Sequence, residues 1–133
     1  MVGTGMDRRT GAVLSDWPHV AQSIEVILTT RIGERMFRRV FGSQVPGLLG
    51  EPLTSPTIVR FFAAVIAAIE LWEPRFRVRS IDVIDGNSAD RLRGGRLALK
   101  IRGEYRPRGH LGDPTPDWQE RSLTIGDDGR MAA

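Results

Sequence analysis

From Trp17 onward the apolar residues Trp17, Val20, Ile24, Ile27 and Leu28 recur at i, i+3, i+7 and i+10/i+11, with His19, Gln22, Ser23 and Glu25 between them. One stripe of this period predicts an amphipathic helix over residues 17–29. Ser15 or Asp16 can cap it, and Pro18 fits a first turn, where the amide has no helical partner. A shorter helical pattern follows Gly33. Met36, Phe37, Val40 and Phe41 supply its apolar side and Arg31, Arg35, Arg38 and Arg39 the opposite one, predicting a helix over about 34–40 that Gly42 ends. Breakers at Pro46, Gly47, Gly50 and Pro52 predict turns in the next stretch.

Ser55-Pro56 is a helix start, a hydroxyl N-cap before a proline at the first helical position. Between Ile58 and Trp72 only Arg60 and Glu70 are charged, so a helix over 56–72 is expected at the centre of the fold, covered on more than one side. Pro74 disfavours helical geometry for Glu73 and stops that helix near Trp72. Strand alternation begins at once. Phe76 and Val78 point one way and Ile81 and Val83 the other, a phase change that predicts a bulge near Arg79-Ser80. Leu97, Leu99, Ile101 and Tyr105 alternate with polar residues, and "DWQERSLTIG" reads as a third strand.

The expected fold class is therefore α+β: N-terminal helices (about 17–29, 34–40 and 56–72) packed on a small C-terminal antiparallel sheet (about 76–84, 96–105 and 118–125). One domain spanning residues 1–133 is expected, with looser ends at about 1–12 and 127–133, where glycine and polar residues concentrate.

Composition removes several function classes. The chain is 41% hydrophobic and 26% charged, a globular balance, and it has no cysteine, which excludes disulfides, thiolate metal sites and a cysteine nucleophile. The longest uncharged apolar run, Phe61 to Ile69, falls far short of the ~20 residues of a membrane helix, and no signal peptide is expected. All but one of the 19 basic residues are arginine, the residue suited to bidentate carboxylate pairing, although GC-rich codon usage gives the same bias. A net charge of +3 does not demand nucleic acid.

Candidate chemistry is sparse. His19 and His110 lack ligand-spaced companions and read as surface histidines, so neither a metal nor a cofactor is expected. Glu34, Glu73 and Glu104 are the carboxyls a peptidoglycan hydrolase would need. Each has an arginine within two residues, which lowers a carboxyl pKa and favours ion pairing over acid catalysis. "RLRGGR" at 91–96 reads as a turn before it reads as a nucleic-acid patch.

Several segments together do carry a resemblance. "GMDRRTG" (5–11), "QSIEVILTTRIGERMFRRVFGS" (22–43) and "AAIELWEPRF" (67–76) resemble the baseplate assembly protein W family of contractile-tailed phages, which is similar to a baseplate component of type VI secretion systems. The resemblance implies a non-enzymatic subunit. Such a subunit joins other baseplate wedge proteins, sheath and hub proteins in a multi-copy ring and helps initiate sheath assembly. It would be made in the bacterial host cytoplasm and then sit in the baseplate of the virion or particle. Glu73, Pro74 and Arg75 become the leading interface residues, with Arg35, Arg38 and Arg39 as a second set. On this reading Arg75→Ala folds normally and fails to enter the particle. Hydrolase and nucleic-acid-binding roles stand as the alternatives.

Overall fold

The computed structural model describes residues 3–48, 55–84, 98–125 and 131–132. Two short strands, β1 (Thr4–Met6) and β2 (Val13–Ser15), open the chain as an antiparallel hairpin with Gly5 opposite Leu14. The Asp7 carboxylate closes its turn by accepting from the amides of Arg9 and Thr10, and those hydrogen bonds hold the carboxyl below its usual pKa. This segment was expected to be loose. A turn built on one aspartate gives no hydrophobic period to read.

The first helix, α1 (Trp17–Thr29), has the expected bounds and buries Val20, Ile24, Ile27 and Leu28. Asp16 takes its N-cap position at φ 56° without a side-chain cap. The helix expected over 34–40 is absent. The Gly33 amide donates to the Arg39 carbonyl (2.7 Å), the Ser43 amide donates to the Thr30 carbonyl (2.9 Å), and Arg31 bridges Ser43, so the segment closes as a loop. Gly42 makes the closure possible: at φ +127° a Cβ there would stand 2.5 Å from the Thr30 carbonyl oxygen. Met36, Phe37 and Val40, the supposed apolar side, are exposed. The next turn, α2 (Val45–Leu48), is helical where only breakers were seen, and Val45 is buried.

The long helix α3 (Ser55–Trp72) buries Phe61, Val65, Ala68 and Ile69 against α1 and the sheet. It is not covered all round. Val59, Ala63, Ala67 and Leu71 form an exposed row along its outer side. The antiparallel sheet runs β3-β4-β5-β6, with β3 (Phe76–Val83), β4 (Leu99–Tyr105), β5 (Glu120–Ile125) and the added β6 (Met131–Ala132), which lies in the tail expected to be loose. The 85–97 connection, including Leu97 and "RLRGGR", lies outside the described residues. β5 starts later than expected because Asp117 accepts from the Gln119 amide in a turn that puts Trp118 at φ 64°.

The bulge is where alternation broke, with the β3–β4 register shifting between Val78 and Ser80. Its effect is the reverse of splitting the apolar set. Phe76, Val78, Ile81 and Val83 pair with Tyr105, Gly103, Ile101 and Leu99 respectively, so the extra residue brings all four to one face. That face packs under α1 and α3. The opposite face is polar and carries ion pairs, Arg79 with Glu104 and Arg102 with Asp82 and Glu120. The result is an α+β arrangement with strands at both ends of the order.

Gly103 is the tightest point of the sheet: a Cβ there would lie 2.2 Å from the Arg77 carbonyl oxygen and 2.6 Å from the Phe76 ring. Gly103→Ala is expected to destabilise the fold by about 3 kcal/mol. Thermal unfolding checks this, with an expected fall in melting temperature of about 10 °C.

Candidate functional site at the helix–sheet corner

The turn from α3 into β3 contains Glu73, Pro74 and Arg75. The Glu73 amide still donates to the Ile69 carbonyl (2.8 Å), so Glu73 closes the last helical turn, and the Phe76 amide then donates to the Glu73 carbonyl (3.3 Å). A carboxylate at a helix C-terminus faces the negative end of the macrodipole and needs a cation. Arg75 supplies it. Its Nε donates to Glu73 Oε1 (2.7 Å) and its Nη2 to Oε2 (3.0 Å), a bidentate pair only two residues apart in sequence.

Both members are buried: Glu73 is 2% exposed and Arg75 8%. The resemblance led us to expect charges offered to a neighbouring subunit; in the chain itself they are spent on each other. Pro74 is the exposed member of the three. The expectation that Arg75→Ala folds normally therefore changes, because the substitution would leave the Glu73 carboxylate buried without its partner. The hydrogen bond to Glu73 raises the arginine pKa further, against the opposing effect of burial.

A third residue, which sequence reasoning placed on the surface, completes the corner. His19 Nδ1 lies 3.0 Å from Arg75 Nη1. Arginine only donates, so Nδ1 is the acceptor and the ring proton resides on Nε2. Burial first, and the positive charge of Arg75 second, depress the His19 pKa, with Glu73 acting in the opposite direction. Above this cluster sits the N-terminal hairpin. A Cβ on Gly3 would come within 2.7 Å of Arg75 Nη1, and one on Gly5 within 2.4 Å of the His19 ring. The two glycines let β1 close over the arginine and the imidazole. Beneath it, the Arg75 carbonyl accepts from the Arg106 amide (2.6 Å), and Gly109 packs so closely on Pro74 that a Cβ would meet its carbonyl at 2.3 Å. The corner thus ties together the hairpin, α1, α3, β3 and the segment after β4.

The only sequence signal for His19 was its position two residues after Trp17. Trp17 stacks near Phe76 (ring centroids 5.5 Å) and Tyr105 (5.7 Å), placing the first turn of α1 against the start of β3. The remaining site residues lie elsewhere. Arg35, Arg38 and Arg39 are exposed on the 31–42 loop, with the Arg35 guanidinium 4.6 Å over the Phe41 ring.

No free acid–base pair emerges from the three candidate carboxyls. Both Glu73 oxygens are held by Arg75, a Glu34 oxygen accepts from the Arg31 amide (2.9 Å), and hydrogen bonds from Arg79, then Arg106, hold Glu104 below the ordinary carboxylate range. Among the described residues there is no cluster of three metal-ligating side chains, and no helix is long and apolar enough to cross a membrane.

The depressed His19 pKa sets a sign for pH dependence. The unfolded chain takes up a proton near its ordinary value of about 6.5, which the folded chain resists, so this contribution is present above that pH and is lost progressively as pH falls below it toward the lowered folded value. His19→Asn keeps an acceptor near the Nδ1 position and removes the titration. Its melting temperature is expected to fall less steeply than the wild type's between pH 7 and pH 5, measured by circular dichroism.

Comparison with known proteins finds relatives of the chain. The model of the family described as baseplate wedge protein gp25 matches residues 15–109, which span α1, α3, the corner and β4. Baseplate protein W of Escherichia phage P2 is 31% identical over 121 residues, covering 91% of this chain and 92% of that protein. Among solved structures, a chain of the postcontracted pyocin R2 baseplate superposes with a TM-score of 0.64 at 32% identity, over 77% of this chain and 98% of that one. A putative tail lysozyme from Geobacter sulfurreducens superposes with a TM-score of 0.62 at 26% identity, over 85% and 91% of the two chains.

Proposed function

The chain belongs to the baseplate wedge protein gp25 family, and from that premise we propose that it joins neighbouring wedge proteins around the hub of the tail tube and helps initiate sheath polymerisation. It is a structural baseplate component of a contractile tail system. The match over residues 15–109 carries the finer reading, because it takes in His19 and the Glu73–Arg75 turn. On this reading residues 1–133 act as one wedge unit, made in the bacterial host cytoplasm and retained in the baseplate.

Within that unit, Glu73 and Arg75 serve assembly by holding the shape of the corner, and Pro74 presents it at the surface. Arg35, Arg38 and Arg39 form a second contact set. Charged groups of this kind set register and orientation more than affinity. The reading is also non-enzymatic, although one structural neighbour is a putative tail lysozyme. A glycosidase needs one carboxyl with a raised pKa opposite a second one. Here Glu73 is sealed by Arg75 and Glu104 is held low, which supports a structural role. Arg79 and Arg102 of the outer sheet face are paired with carboxylates, which argues against a nucleic-acid surface there.

Deleting the gene from its particle-producing cluster is expected to abolish sheathed tails with baseplates in negative-stain electron microscopy, with restoration from a plasmid. The purified chain is expected to release no soluble fragments from peptidoglycan. Normal contractile tails without the chain would overturn the structural reading, and cleavage lost on Glu73→Gln or Glu34→Gln would establish the hydrolase instead.

A further inference from the structure

The outer side of α3 is apolar where solvent should favour polar residues. Val59 is 66% exposed and Leu71 70%, and Ala63 and Ala67 lie between them at successive four-residue steps. Beside this row runs a groove of about 410 Å³, walled by α3 on one side and by Ile32, Ser43 and Leu48 on the other. Ile32 is itself 53% exposed, so the apolar surface continues from the helix onto the 31–42 loop. A contiguous exposed apolar surface of this kind marks an interaction site. The contrast with the outer sheet face is sharp, since there each of Arg79 and Arg102 already has its carboxylate.

The shape of the row selects a helix as occupant. Residues four apart form a ridge inclined to the helix axis, into which the corresponding ridge of a second helix packs. With small Ala63 and Ala67 between larger Val59 and Leu71, the row is a saddle that a crossing helix can approach closely. The charge around it selects the sign of that helix. Arg60 lines the groove, and the adjoining loop carries Arg31, Arg35, Arg38 and Arg39 against the single Glu34. Among the described residues none of Arg38, Arg39 and Arg60 is paired with a carboxylate.

We propose that the α3 row and its groove dock an amphipathic helix of another baseplate subunit, one with an apolar i, i+4 row flanked by aspartate and glutamate. This deepens the function proposed above and rests on it. Apolar anchors from the partner helix fill the groove, as in other helix-in-groove contacts, and its carboxylates meet Arg60 and the basic loop. The position is separate from the corner, where the charges are already satisfied within the chain.

The test replaces Leu71 with the photo-crosslinker p-benzoylphenylalanine, irradiates assembled particles and maps the crosslinked peptide by mass spectrometry. The expected product joins residue 71 to an acidic, helix-forming segment of a different subunit. In parallel, Ala67→Glu is expected to melt within about 2 °C of wild type, as an exposed helical substitution should, yet to enter particles at least tenfold less, whereas Ala67→Ser enters normally. A crosslink to a second copy of this chain, to a basic or non-helical segment, or to nothing in particles that contain the chain overturns the docking proposal. Normal incorporation of Ala67→Glu does the same. Absence of the wild-type chain from purified particles instead overturns the baseplate role itself, and the two failures are read separately.

Discussion

A carboxylate buried at the C-terminal end of a helix is costly twice over, once through lost hydration and again through the helix dipole. Glu73 occupies that position, and much of the surrounding architecture follows from compensating it. The compensating cation must come from a fixed, nearby place. Pro74 restricts the turn so that Arg75 returns its guanidinium to the same carboxylate, and the arginine's remaining nitrogen, Nη1, reaches His19 on α1. Neutral His19 accepts that hydrogen bond, and Gly3 and Gly5 let the hairpin seal the cluster. Five segments of the fold thereby share one electrostatic anchor.

That anchor gives Glu73 and Arg75 a structural role inside the chain, in addition to the interface role that the family resemblance suggests. Two opposite charges around a proline look like a handle for a neighbour. Buried and bidentate, they define the angle between α3 and the sheet. The surfaces on either side of that angle, the apolar row on α3 and the polar sheet face, are then held in a fixed relation to each other. For a part that must fit between neighbours in a baseplate, a fixed angle is as necessary as the contacts themselves.

Much of this was legible in the sequence. The stripe of α1, the Ser55-Pro56 start, the Pro74 stop and the broken alternation at Arg79-Ser80 each have a local cause, and the structure places each of them there. The failures share a different cause. Met36, Phe37 and Val40 were read as the buried side of a helix, and α3 was read as covered on more than one side, because hydrophobic period does not say whether an apolar residue is buried by its own chain. Glycine-permitted closure at Gly42 overrode helical propensity in one case, and the other left apolar side chains facing outward. His19 was missed because its partners, Arg75 and Gly5, converge only in three dimensions.

The central claim is that Glu73 and Arg75 act as one buried unit, and a double-variant cycle on the isolated chain addresses it directly. Arg75→Met alone should cost about 3–5 kcal/mol in chemical denaturation, because it leaves a buried carboxylate without its cation. Combining it with Glu73→Leu should recover most of that loss, since two apolar side chains remove the unpaired charge altogether. A single-variant cost within about 0.5 kcal/mol of zero, as for an ordinary surface arginine, would contradict the account.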